Sequence, residues 1–252
     1  MAYLSLDYGV PVAIINGGDL DGEIIHLVDP DVNEPRNRSR SKKFTELKIP
    51  DGKVFPIPSD KVENLYISGP NGSGKSYYTA QWLKMYRKLH PTTPIYLFSD
   101  VAEDAVLDKI KNISRIVFDQ TLVDEPIVPE QLRGSVCVFD DIDSIADKNI
   151  SKAVNALRDT LLKTSRHYNI YVIVTNHLST DYKNTRVLIN ESRSITVFPK
   201  SGATNQITRI FKEYCGITQK QLEMIMKLPS RWVTLHKNYP LFITYEHGII
   251  LL

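Results

Sequence analysis

Residues Gly69-Pro70-Asn71-Gly72-Ser73-Gly74-Lys75-Ser76 spell GPNGSGKS, a complete GxxxxGK[ST] phosphate-binding loop (Walker A), and the strand-like run NLYIS, Asn64 to Ser68, leads straight into it. The chemistry needs these residue types at this spacing. Glycines at 69, 72 and 74 let the backbone curl until successive N–H groups point at phosphate oxygens, and the following helix adds its positive N-terminal end. Lys75 is placed to reach the β- and γ-phosphates and Ser76 to offer a hydroxyl to Mg²⁺; Tyr77 closes the expected nucleotide-binding set. A strand, a glycine-rich turn and a helix in that order predict a P-loop NTPase fold that binds a nucleoside triphosphate, with ATP and Mg²⁺ as the expected cofactors.

Beyond the loop, buried-looking strand runs alternate with helical stretches from Val62 onward, the pattern of βαβ units and a mainly parallel sheet flanked by helices. A helix is expected from Lys75 to His90, stopped by Pro91, with Tyr77, Tyr78, Trp82 and Tyr86 at core spacing. Strands are expected over Pro94 to Phe98, Arg115 to Phe118, Ser135 to Phe139, Ile170 to Thr175 and Ser194 to Phe198. Asp100-x-x-Glu103 reads as a capping box for a helix to about Lys111, and a further helix covers roughly Lys152 to Thr164. In the tail, helices over Thr204 to Tyr214 and from Thr218 precede three strands, Trp232 to His236, Leu241 to Tyr245 and Ile249 to Leu252, with a C-terminal β-hairpin among them.

The first sixty residues read differently. Val10 to Ile15 and Glu23 to Val28 flank a turn-rich Gly17 to Gly22 and predict a β-hairpin. A basic run, Arg36 to Lys43, follows as an exposed loop. The expected organisation is therefore a small β extension over 1–60 and an ATPase domain over 61–252.

Composition excludes several classes. With 42% hydrophobic and 24% charged residues, 252 residues suffice for a buried core, so disorder is not expected. Two cysteines are too few for a disulfide framework or a zinc site, and Cys137, inside an apolar run, reads as an inert core thiol. Neither a signal-like segment after Met1 nor an apolar stretch near the roughly 20 residues of a bilayer span is present, which predicts a soluble intracellular protein without a membrane span. A net charge of +2 does not announce a nucleic-acid binder, so any such role must rest on local clusters.

The use made of the triphosphate depends on further residues. Val136 to Asp141, VCVFDD, is an apolar run that ends in acid (Walker B), which sets a carboxylate at the ligand-binding edge of a parallel sheet. Asp140 is expected to hold the hydration shell of Mg²⁺, and Asp141 to orient or deprotonate the attacking water. Asp143 is a weaker candidate. The strand Ile170 to Thr175 exits into Asn176, whose amide suits contact with the γ-phosphate or the water; His177 beside it reads as an exposed loop residue. Arg166 ends the preceding helix and, in a ring, is placed to enter a neighbour's site as an arginine finger, although cations also suit helix C-termini. Arg158 and Arg193 are the alternatives.

The combination GPNGSGKS, VCVFDDID, SRHYNIYVIVTNH (Ser165 to His177) and ESRSITVFPKSG (Glu191 to Gly202) resembles the genome-packaging ATPases of large DNA viruses and virophages, a group that includes the poxvirus-type packaging ATPase within the FtsK/HerA superfamily of P-loop DNA motors. The resemblance spans roughly 62–232. It implies an additional-strand (RecA/ASCE-like) P-loop fold, a homo-oligomeric ring of five or six subunits, and ATP-driven translocation of double-stranded DNA into a preformed capsid. It also implies capsid or portal-vertex partners and residence in a virus factory or virion. The superfamily often has Glu where Asp141 stands and Gln where Asn176 stands, each longer by one methylene. Phosphate-facing charge is expected from Lys200, Arg209, Lys212, from Lys183 and Arg186 in a loop after Asn176, or from the Arg36 to Lys43 run. Competing functions are an AAA+-like nucleotide switch or helicase loader and a P-loop small-molecule kinase; the chain lacks the Arg-rich lid cluster usual for the kinase, and an ABC-type LSGGQ signature is absent.

Overall fold

A computed structural model of the chain describes residues 1–32, 42–177, 182–201 and 204–252; of 182–184 it describes the backbone only. Contacts divide the chain into two compact units, Asp60–Thr196 and the combination of Met1–Ser59 with Val197–Leu252.

The chain begins with β1 (Tyr3–Ser5), β2 (Val10–Asn16), β3 (Ile24–Val28), β4 (Glu46–Lys48) and β5 (Lys53–Pro56). The expected hairpin is β2–β3, antiparallel, and β1, β3, β2 and β5 form a four-stranded antiparallel sheet in that order. Most of the basic run, from Arg36 to Ser41, falls outside the described residues. Lys42 is exposed, and Lys43 rests its ammonium 4.4 Å from the centre of the Tyr3 ring.

The unit Asp60–Thr196 holds β6 (Asn64–Ser68), α1 (Lys75–Leu89), β7 (Ile95–Ser99), β8 (Ile113–Ile116), α2 (Thr121–Asp124), β9 (Val136–Asp140), α3 (Lys148–Tyr168), β10 (Tyr171–Asn176), α4 (Tyr182–Glu191) and β11, which starts at Ser194 and ends at Val197. Strand order is β11-β6-β10-β9-β7-β8, with every pair from β6 to β8 parallel. Every residue of β6, β9 and β10 is buried, as strands covered on both faces must be. Tyr78, Trp82 and Tyr86 recur every four residues and form the buried face of α1, where Trp82 stacks on Tyr86 at 5.2 Å and Tyr86 meets Tyr171 edge-on at 4.9 Å. Tyr77, grouped with them by spacing, is instead 59% exposed, because it points off the opposite side of the first turn. Asp147 caps α3 by accepting from the N–H groups of Asn149 and Ile150, and Asn169 ends it in the left-handed region at φ 55°.

Two local expectations fail here. No helix runs from Asp100 to Lys111; a single 3₁₀ turn, Leu107–Lys109, forms instead. The Asp104 carboxylate takes the N–H groups of Val106 and Leu107, both at 2.7 Å, and so satisfies locally the donors that a longer helix would have used. The segment after Asn176 that carries Lys183 and Arg186 is the helix α4 rather than a loop, anchored by the buried Leu188 and Ile189.

The chain closes with α5 (Thr204–Arg209), continued by a π-helical turn Ile210–Tyr214, then α6 (Gln219–Lys227), β12 (Val233–His236), β13 (Phe242–Tyr245) and β14 (Gly248–Leu251). The capping box Thr218–Gln221 is present. β12, β13, β14 and β4 pair antiparallel in sequence, so an N-terminal strand completes the C-terminal sheet. Leu4, Ala13, Ile15, Ile25, Leu47, Val54, Phe242 and Ile249 form the core of this unit, each side chain contributing about 1.5–3 kcal/mol when fully buried, alanine less. A side chain at Gly248 would collide with the Leu47 carbonyl oxygen, which explains glycine at the start of β14.

Candidate functional site

Because β6, β10, β9 and β7 are parallel, their carboxyl ends share one edge, where α/β sheets bind ligands. Register sets Ser68 opposite Asn176, Thr175 opposite Asp140, and Ser99 opposite Asp140. β10 is thus the additional strand between the phosphate-loop strand and the carboxylate strand.

The loop begins tied to that strand, since Gly69 donates its N–H to the Asn176 carbonyl at 3.2 Å. Gly72 and Gly74 take φ of 73° and 111°, which L side chains rarely adopt. Gly74 is also the N-cap of α1, and among the described residues no side chain bonds the first-turn N–H groups. Ser73 Oγ is buried without a hydrogen-bond partner among the described residues. Lys75 is buried at 6% exposure; its ammonium donates to the Gly69 carbonyl at 3.3 Å and lies 3.5 Å from Asp141 Oδ1. Ser76 is half-buried beside it, and Tyr77 stands exposed on the same turn.

Asp140 is 4% exposed at the end of β9. Burial raises its pKa to about 6; the hydrogen bond from Thr175 opposes the shift, the charges of Asp141 and Asp104 add to it, and Lys75 lowers it. Asp141 follows in the left-handed region, φ 46° and ψ 39°, uncommon for any residue but glycine and tolerated best by Asp and Asn. Its N–H is shared between the carbonyl oxygen and hydroxyl of Thr175, both at 3.2 Å. Its Oδ2 lies 3.5 Å from His177 Nε2. Asn176 is 5% exposed, and its Oδ1 has no hydrogen-bond partner among the described residues.

Lys75, Asp140 and Asp141 therefore converge, with Ser76 one residue on, whereas Asn176 is tied to the loop through its backbone carbonyl and its side chain leaves the strand on the face opposite to Thr175. Thr175 and His177 join them, although residue types alone left both out. The available signal was strand alternation: side chains at 175 and 177 share a face, opposite to that of 176. Arg166 is not brought in. It is exposed in the last turn of α3, whose 21 residues span about 30 Å and run from the ligand edge to the other edge of the sheet. Arg158 is buried and chelates Asp159 through Nε at 2.9 Å and Nη2 at 2.7 Å. Asp143 is exposed, and the N–H of Arg193 bonds the Asn64 carbonyl at 2.9 Å. Of the basic candidates, Lys200 and Arg186 are exposed, Arg209 pairs with Glu213 at 3.1 Å, and Lys212 donates to Gln219 at 3.0 Å; the Lys183 side chain lies outside the described residues.

No protein-family model matches the chain. Over 241 residues it is 39% identical to the uncharacterized protein V3 of Sputnik virophage, an alignment that covers 94% of both. Among solved structures it is similar to the pCW3 conjugation coupling protein TcpA in its monomer form with ATPgS, at 14% identity and a TM-score of 0.50 over 94% of this chain and 76% of that one. It is also similar to the genome packaging NTPase B204 from Sulfolobus turreted icosahedral virus 2 in complex with AMPPCP, at 16% identity and a TM-score of 0.49 over 73% of this chain and 96% of that one. The fold is that of the P-loop NTPases.

Proposed function

The chain belongs to the family of protein V3 of Sputnik virophage, and we propose that it is an ATP-hydrolysing motor that translocates double-stranded DNA to package a viral genome into a preformed capsid. The observation that carries the hydrolytic part is the second carboxylate: Asp141 Oδ1 stands 3.5 Å from Lys75 Nζ, at the end of the loop where a γ-phosphate would lie. A loop built only to bind nucleotide has no need of an acid there.

The residues fit ATP and Mg²⁺. Gly72, Gly74, the uncapped start of α1 and the unpartnered Ser73 hydroxyl form an anion cradle. A hydrated Mg²⁺ would be held by the Ser76 hydroxyl and Asp140 together with phosphate oxygens. Bound Mg·ATP supplies the phosphoryl group and neutralises charge developing on it. Lys75 then exchanges the Gly69 carbonyl and Asp141 for phosphate oxygens. Freed from Lys75, Asp141 orients the attacking water and accepts one proton from it as the oxygen attacks, and Asn176, at the exit of β10, contacts the γ-phosphate as the sensor of hydrolysis. Tyr77 offers an exposed ring to the nucleoside.

DNA translocation and packaging rest on the motif resemblance across 62–232, and the virophage relative, which matches along nearly the whole chain, supports the viral setting. In a ring of five or six subunits Arg166, remote from its own site and exposed, is the trans arginine finger. Steady-state ATP hydrolysis with and without duplex DNA, with mass measurement of assembly, tests the reading. Hydrolysis stimulated by DNA is expected; assembled rings that hydrolyse ATP without any response to DNA would sink the packaging claim.

A further inference from the structure

Thr175 is completely buried, yet its hydroxyl is fully engaged with the two carboxylates of the site. Oγ1 donates to Asp140 Oδ1 at 2.5 Å and accepts from the Asp141 N–H at 3.2 Å. A hydroxyl has one proton to give, and Asp141 Oδ1, at 3.5 Å, is too distant to compete for it. The donor and acceptor roles are therefore fixed by distance. The backbone adds a second hold, because the Thr175 carbonyl also accepts from the Asp141 N–H at 3.2 Å.

These bonds hold the turn that follows β9. Asp141 sits at φ 46°, a left-handed conformation uncommon for any residue but glycine, and among the described residues its N–H is held by Thr175. We propose that Thr175 is a positioning residue that sets the relative placement of the metal-facing Asp140 and the water-facing Asp141. The inference rests on the ATPase reading of this site. Serine would keep the hydroxyl, while valine keeps the shape and removes both hydroxyl bonds.

Thr175→Val, Thr175→Ala and Thr175→Ser are compared with the parent and with Lys75→Ala in nucleotide affinity, KM, kcat and thermal midpoint. A displacement near 1 Å costs about a hundredfold in rate. Thr175→Val and Thr175→Ala are expected to lose about that much kcat, with nucleotide affinity and KM within about threefold of the parent. Thr175→Ser is expected to restore most of the turnover. Equal kcat in parent and folded Thr175→Val, or a loss confined to KM, overturns the proposal, as does a Thr175→Ser variant as slow as Thr175→Ala. If Thr175→Val does not fold, Thr175→Ser and Thr175→Ala decide the question. A parent no faster than Lys75→Ala overturns the ATPase reading itself, a result distinct from loss of the Thr175 effect in an active parent.

Discussion

The ammonium of Lys75 lies 3.5 Å from the carboxylate of Asp141 and donates to the Gly69 carbonyl at 3.3 Å. The two partners do different work, and their variants separate. Lys75→Ala should lose nucleotide affinity, since a buried charge-assisted contact to phosphate is removed. Asp141→Asn should bind nucleotide near parent strength and lose about 10²–10⁴-fold in turnover, because an amide cannot accept the water's proton. Fluorescent-nucleotide titration and phosphate release measure the two effects. Parent-level hydrolysis by Asp141→Asn would remove Asp141 from the chemistry.

Arg166 lies at the far end of α3 from its own phosphate loop, so its effect should appear only in assemblies. Arg166→Ala is expected to lower turnover by about a thousandfold, the lower end for an arginine finger. Mixing it with Lys75→Ala subunits, whose own sites are dead but whose Arg166 is intact, should restore part of the rate. A failure of rescue in mixed rings argues for a role confined to one subunit.

Asp140 predicts a trade between stability and activity. Its pKa is raised from 3.8 to about 6, chiefly by burial, so between those values the native state holds a proton that the unfolded chain has released. Stability of the ligand-free protein therefore falls as pH rises through that window and stays lower above it. Asp140→Asn keeps an acceptor for Thr175 and cannot ionise, and should gain up to roughly 3 kcal/mol over the parent above pH 7, with little difference at pH 4. It should also lose hydrolysis. Urea titrations across pH measure the gain; a constant difference from pH 4 to pH 8 would contradict the assigned cause.

Gly248 tests the pairing of the two termini. Any side chain there meets the Leu47 carbonyl and the Tyr245 ring, so Gly248→Ala must displace β4 or β14 and should cost about 1–3 kcal/mol. Denaturant midpoints check this, and an unchanged midpoint would mean that β4 is not paired as described.

Legibility followed locality. The phosphate loop, the capping box Thr218–Gln221 and the apolar run ending at Asp140 are each contained in a few consecutive residues, and all were readable from spacing and side-chain chemistry. The Asp100–Glu103 capping box was equally local and misled, because Asp104 offered the backbone a competing set of bonds. His177 is the loop residue its sequence position implies, and its nearness to Asp141 depends on strands distant in sequence.

The sequence by itself determined that residues 69–76 form a glycine-rich turn between a strand and a helix and that a carboxylate ends the buried strand at Asp140, because both follow from backbone sterics and hydrophobic periodicity over short windows. Only the tertiary structure decided that β10 lies between β6 and β9, and with it that Thr175 stands between two carboxylates and Asn176 beside the loop. The pairing of β4 with β14 belongs to the same class. Strand order is set by which apolar faces and backbone donors find one another across long stretches of chain, and no local pattern carries that information.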